Sequence, residues 1–295
     1  MIKELKKTKK KLTHFRPRIR SRHSSHDVLR EELPLMPFRS VIRLGSTTDV
    51  PESEVKVQLN SVEAIRNSSN KLLMKQCFTK VGVKTADWWT IYKGGDEFNG
   101  VLLTCRNNNE EPFNTFKDLT FPIVAKHIYG SRGEGNTLIN SQQELEAWLK
   151  GKTLSNYIFE KFYSFSREYR LHVTEEGCFY TCRKMLKEET PEDKRWYRND
   201  NNSVWILEEN PQFDKPVNWK DIEADCVKAL KAVGLDFAAM DVRVQSKLDK
   251  DGRERKNPEW ILLESNSAPS LGRITTQKYL ETLPKLLQRK FNQLK

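Results

Sequence analysis

The chain has 295 residues, 37% of them apolar and 31% charged, enough to bury one large core or two modest ones. Of its 51 Lys and Arg, 11 fall in residues 1–30 against only Glu4 and Asp27, so the formal charge of +11 is concentrated at the N-terminal end. Two classes are excluded: no apolar stretch approaches a membrane span, and Cys77, Cys105, Cys178, Cys182 and Cys226 form no CxxC pair, which predicts a reduced, cytoplasmic compartment without a zinc site.

Residues 1–35 read as a basic arm that self-repulsion should keep disordered. Its Lys and Arg could release counterions from nucleic-acid or ribosomal phosphates, a reading that weighs level with simple solvation. Membrane-surface attraction ranks behind both, because no amphipathic helix accompanies the charge. Ser40–Leu44 then predicts a strand, and Ser61–Val81 one helix stopped at Gly82. Trp88, Trp89 and Ile91 suggest an extended connector, with turns and a short strand over 93–109.

Phe121–Ile128 predicts a strand feeding the turn Gly130-Ser131-Arg132-Gly133-Glu134-Gly135. After an extended Thr137–Ile139, the pattern Ser141-Gln142-Gln143-Glu144 is a capping box for a helix over Gln142–Lys150. Tyr157–Phe162, Glu168–Val173 and Phe179–Met185 follow as strands, and Lys187–Asn202 as a long loop. A helix over Trp219–Val233, strands over Phe237–Val244 and from Ile261, and a helix from Thr276 with Pro284 as its kink complete the chain. Alternating helices and strands with several consecutive strands predict an α+β fold of two lobes.

Chemistry is concentrated in a few places. Ile261-Leu-Leu-Glu264-Ser-Asn266 ends a strand with a carboxylate and an amide at i and i+2, which share one face. Asp241 and Arg243 repeat that spacing upstream, and hard oxygen ligands beside an arginine suit a magnesium–nucleotide site. The glycine turn can bring backbone N–H groups onto phosphates, with Lys126 on the preceding strand to neutralise them, although taken alone such a segment is more often an ordinary hairpin turn. The sequence has no GxxxxGK[ST], no kinase HRD and DFG, and no GxGxxG opening a helix after a strand. Glu160 and Glu168 could meet a base and a ribose, or lie as surface charges on their strands. Trp88, Trp89, Trp196 and Trp205 read as packing residues, with Trp196 and Tyr197 also placed to shape an acceptor pocket.

In this order, Asn70-Lys71, Lys126 with the glycine turn, Glu160, Glu168, Asp241 and Glu264-x-Asn266 resemble the ATP-grasp superfamily over Val41 to the C-terminus. The resemblance is strongest to its carboxylate–amine ligases, above all the RimK-type group. It implies an ATP-grasp fold with ATP held between two α+β lobes, behind a reduced N-terminal domain. The divisions would be 1–35 the arm, 36–92 the reduced front segment and helix, 93–160 the lid lobe, and 161–295 the core lobe with the metal site.

The resemblance further implies that Lys71 and Lys126 contact phosphates under a lid of Gly130, Ser131, Gly133 and Gly135. Glu160 and the backbone of Lys161 and Phe162 would hold adenine, and Glu168 the ribose. Asp241, Glu264 and Asn266 would hold Mg²⁺, with Mn²⁺ the alternative, while Arg170, Arg183, Arg198 and Arg243 would surround an acyl phosphate. The implied activity is ATP-dependent ligation of a carboxylate to an amine, the acceptor being a peptide or protein terminus. A catalytically silent nucleotide-binding protein is the alternative. The chain departs from the family pattern at Ala239, where some members carry arginine, and at Pro269-Ser270, where Pro-Gly is usual.

Overall fold

The computed structural model describes residues 13–51, 54–94, 99–104, 112–113, 119–130 and 135–294. They belong to two compact units, one built from the chain up to Leu59 together with Ser270 onward, the other from Asn60–Pro269. The first begins with β1 (Arg18–Arg20), α1 (Asp27–Glu32), β2 (Ser40–Arg43) and β3 (Val57–Leu59). The second contains α2 (Val62–Ser69), α3 (Lys71–Lys80), β4 (Trp88–Gly94), β5 (Asn99–Thr104), β6 (Pro112–Phe113), β7 (Ile123–His127) and β8 (Thr137–Ile139). It continues with α4 (Gln142–Leu149), β9 (Tyr157–Lys161), β10 (Arg167–Thr174), β11 (Gly177–Leu186), β12 (Ser203–Leu207), α5 (Trp219–Val233), β13 (Phe237–Val244) and β14 (Trp260–Asn266). The chain then returns to the first unit for α6 (Arg273–Gln293), which starts three residues earlier than expected and has Pro284 within it.

In the first unit β1 and β3 flank β2 in parallel. The expected disorder of the arm is corrected for residues 13–35. Leu29 and Leu33 are fully buried, and the arginines spend their charge locally. Arg16 donates to the carbonyls of Glu31 and Leu33, Arg30 to that of Ser21, and Arg18 pairs with Glu54 at 2.7 Å. Charge averaged over the arm hides these two apolar anchors.

The second unit holds two sheets, of order β12-β11-β10-β13-β14 and β6-β5-β4-β9-β7-β8, all antiparallel. The mixed α+β architecture is as expected, but the single helix over Ser61–Val81 is two. Asn70 breaks it: its backbone N–H closes α2 on Arg66 O, and its Oδ1 accepts from Leu72 N and Leu73 N at 2.9 and 3.2 Å to start α3. Ser141 caps α4 as expected, its Oγ accepting from Glu144 N, but the Glu144 carboxylate accepts from Asn140 N and so does not close the box on Ser141.

Strand alternation decides which side chains meet. From β10, Tyr169, Leu171 and Val173, and from β13, Ala238, Met240, Val242 and Val244 pack against Trp219, Ile222, Cys226, Leu230 and Val233 of α5. Residues of the other parity, Glu168 and Arg170 on β10 and Asp241 and Arg243 on β13, are thereby turned to the opposite face.

Candidate active site

On β13 and β14 the register sets Asp241 opposite Glu264 and Val242 opposite Leu262, with the irregularity between them. The extra residue is Leu263. A bulge is what the site requires: Leu262 is fully buried in the core against α5, and strict alternation would turn Glu264 toward that same core. The bulge reverses the phase, so Glu264 and Asn266 join Asp241.

Arg170 lies opposite Asp241 on β10. Its Nε donates to Asp241 Oδ1 at 2.7 Å and its Nη2 to Oδ2 at 2.8 Å, a bidentate pair, and Asn266 Nδ2 donates to the same Oδ2 at 3.2 Å. Burial works to raise the Asp241 pKa, but the charge and hydrogen bonds of Arg170 outweigh it and hold the carboxyl below its usual range. Glu264 is shifted the other way, raised by burial and by the negative charge of Asp241. A buried and a half-buried carboxylate in register beside an amide oxygen form a hard-oxygen donor set, and a divalent cation would relieve their repulsion, so these residues fit Mg²⁺. Among the described residues no group of three or more His, Cys, Asp or Glu is placed to hold a metal.

Glu168 lies opposite Arg243 on β13 and Lys184 on β11. Its Oε2 accepts from Arg243 Nε at 2.9 Å and lies 3.5 Å from Arg198 Nη1, while Arg198 Nη2 donates to Ser166 O at 2.6 Å. Three of the four expected arginines, Arg170, Arg198 and Arg243, thus converge. Arg183 does not. It stands opposite Tyr169, with its guanidinium 5.9 Å from that ring and Nη1 donating to Gln212 O, on the α5 side of the sheet. The site-facing cation of β11 is Lys184, which sequence reasoning missed: its Nζ donates to Arg198 O and lies 5.1 Å from the Trp205 ring, and its charge helps lower the Asp241 pKa. Trp205 also lies 4.9 Å from the Arg170 guanidinium, so it walls the site instead of packing in a core.

The second cluster is built on β7, β9 and α3. Lys126 Nζ donates to Glu160 Oε2 at 2.8 Å, and the fully buried Lys75 of α3 approaches Oε1 at 3.4 Å. The latter contact is an ion pair without hydrogen-bond geometry, so Oε1 is buried with no hydrogen-bond donor. Burial alone would raise the Glu160 pKa, yet the charges of Lys126 and Lys75, with the hydrogen bond from Lys126, bring it below the usual value. Lys71, first residue of α3, donates from its backbone to Ile128 O at 2.9 Å and from Nζ to Gly130 O. Its pKa is lowered by burial and by Lys126, with Glu264 and Glu160 opposing, which sets the ammonium in the field of both clusters.

Gly130 closes a turn on His127 O, and Gly135 adopts φ 73°, a left-handed conformation that suits glycine. Ser131 and Gly133 lie outside the described residues. The amides of Lys161 and Phe162 donate to Asp87 O at 2.9 Å and Pro122 O at 3.0 Å, so those two N–H groups are engaged within the protein, which leaves the carbonyls as the backbone groups that could meet a base.

No protein-family model and no curated protein matches the sequence. The fold is similar to that of D-alanine–D-alanine ligase from Bacillus anthracis, with 15% identity over 92% of this chain and 85% of that one and a TM-score of 0.58. It is similar to the same ligase complexed with ATP, at 14% identity, 92% and 84% coverage and a TM-score of 0.56. It is also similar to the ATP-grasp ligase PsnB complexed with a phosphomimetic variant of its minimal precursor, Mg and ADP, at 17% identity, 81% and 63% coverage and a TM-score of 0.50. The chain has the fold of the ATP-grasp ligases.

Proposed function

We propose that this chain is an ATP-dependent ligase that joins a carboxylate to an amine through an acyl phosphate, releasing ADP and phosphate. The observation that carries the reading is one sheet face on which Asp241, Glu264 and Asn266 stand beside Arg170 and Lys184. Activation of this kind brings a carboxylate against the γ-phosphate, so the protein's task is to screen like charges and align the partners, with no nucleophile or base dyad needed. Asp241, Glu264 and the Asn266 amide oxygen would hold Mg²⁺, or Mn²⁺ on the same donors, which when bound neutralises phosphate charge.

Lys71, Lys126 and Lys184 then serve the phosphates, with Gly130, Ser131, Gly133 and Gly135 closing over them. Glu160, held by Lys126 at 2.8 Å, is assigned to the amino group of adenine. Both basic contacts of Glu168 fall on Oε2, and Oε1 is assigned to a ribose hydroxyl. Arg170 takes the role of the arginine that Ala239 replaces.

For the acceptor we favour a peptide or protein terminus and, within the fold, the RimK-type group. The match to a ligase solved with a variant of its minimal precursor supports the choice of acceptor. Cytoplasmic residence follows from the scattered cysteines. Incubating the protein with ATP, Mg²⁺ and pooled amino acids and peptides, then following ³¹P NMR and mass spectra, should give ADP, phosphate and an amide product lighter than its two substrates by one water. Release of AMP and pyrophosphate would overturn the acyl-phosphate mechanism.

A further inference from the structure

Lys75 is a lysine with no exposed surface, and the roles assigned above do not use it. It follows Lys71 by one helical turn, so the two ammonium groups leave α3 on the same side. Lys71 reaches the carbonyl of Gly130 at the glycine turn, while Lys75 reaches Glu160 on β9. Its Nζ also donates to Thr85 Oγ1 at 2.5 Å, and Thr85 Oγ1 donates in turn to Leu262 O at 2.8 Å, the residue beside the bulge that orients Glu264.

We propose that Lys75 is a positioning residue for nucleotide-base selection: from within the protein it holds Oε1 while Lys126 holds Oε2, fixing the Glu160 carboxylate that meets an exocyclic amino group, and through Thr85 it ties that carboxylate to β14. The proposal rests on the reading of Glu160 as the base-contacting residue. A buried lysine needs a compensating charge, and Glu160 supplies it. Glu160 alone, held only by Lys126 at Oε2, could rotate about its terminal torsion, which is broad. A second cation on Oε1 selects one rotamer.

The groups facing Lys75 are Glu160 from β9, Lys126 from β7, Glu264 from β14 and Lys71 from its own helix. Burial and the charge of Lys126 bring its pKa down to about 8, against the opposing pull of Glu160 and Glu264. Its hold on Glu160 should therefore be complete at pH 7 and fade as pH rises through 8.

The test compares binding of ATP and inosine triphosphate, which lacks the amino group, in the wild type and in Lys75→Met, between pH 7 and 9. The wild type should prefer ATP at least tenfold at pH 7 and lose that preference toward pH 9. In Lys75→Met the ratio should fall below threefold and show no change with pH. If Lys75→Met does not fold, Thr85→Val removes the second anchor while keeping the charge, and should reduce the ratio severalfold. A variant that loses thermal stability but keeps the wild-type ratio and pH profile would show a merely structural lysine and overturn the proposal. Failure of the wild type to bind either nucleotide would instead overturn the reading on which it rests.

Discussion

Arg170 donates two hydrogen bonds to Asp241, at 2.7 and 2.8 Å, across directly paired positions of β10 and β13. Both side chains are largely buried, so removing one partner strands the other. Arg170→Met should cost about 3–5 kcal/mol at pH 7. Because the folded-state pKa of Asp241 is depressed, its contribution is present above its unfolded value of about 3.9 and is lost as pH falls through the folded value. Urea unfolding of the two proteins should accordingly differ most near neutral pH and begin to draw together only as pH falls below about 3.9.

Glu264 carries the opposite sign. Its raised pKa means that folding favours the protonated form, so its contribution is favourable below about pH 4.3 and becomes a cost as pH rises through the folded value. Glu264→Gln should stabilise the protein by about 1 kcal/mol at pH 7 and by nothing at pH 4, while abolishing any further stabilisation by Mg-ATP. Thermal unfolding with and without Mg-ATP at the two pH values checks both halves.

Arg183 and Lys184 are neighbours in sequence on opposite faces of β11. Lys184→Met should reduce turnover about 100-fold or more with little change in stability. Arg183→Ala should cost about 1 kcal/mol through lost packing on Tyr169 and leave turnover within about threefold. Steady-state kinetics beside chemical denaturation separates them.

Leu29, on α1 of the basic segment, has no exposed surface. Leu29→Ala should destabilise the first unit by about 2–4 kcal/mol, read as earlier proteolytic cleavage within residues 13–59. If that segment were a solvated tail, the substitution would be silent.

Periodicity made the α5 helix and most strands legible, because each is local, whereas the ordered carboxylates were legible through the family resemblance. Asp241 and Glu264-x-Asn266 could be read as one site since residues two apart on a strand share a face. The bulge at Leu263 could not be read, as nothing in Ile-Leu-Leu-Glu marks the extra residue, and it is what turns Glu264 away from the core. The phase of β11 was equally hidden: buried Tyr180 and Cys182 lie on the site face with Lys184, while Thr181 and Arg183 lie on the α5 side, so polarity does not alternate with face. Nothing local marks Lys75 for burial, because its partner Glu160 is distant in sequence. The disorder expected of the arm failed for a third reason, since net charge ignores carbonyl acceptors and two well-placed leucines.

Calorimetric titration of the wild type with a non-hydrolysable ATP analogue, with and without Mg²⁺, tests the central assignment most directly. One site per chain, tight with Mg²⁺ and at least tenfold weaker without it, is the predicted result. No binding, or binding indifferent to Mg²⁺, would contradict the assignment of Asp241, Glu264 and Asn266 to the metal on the nucleotide.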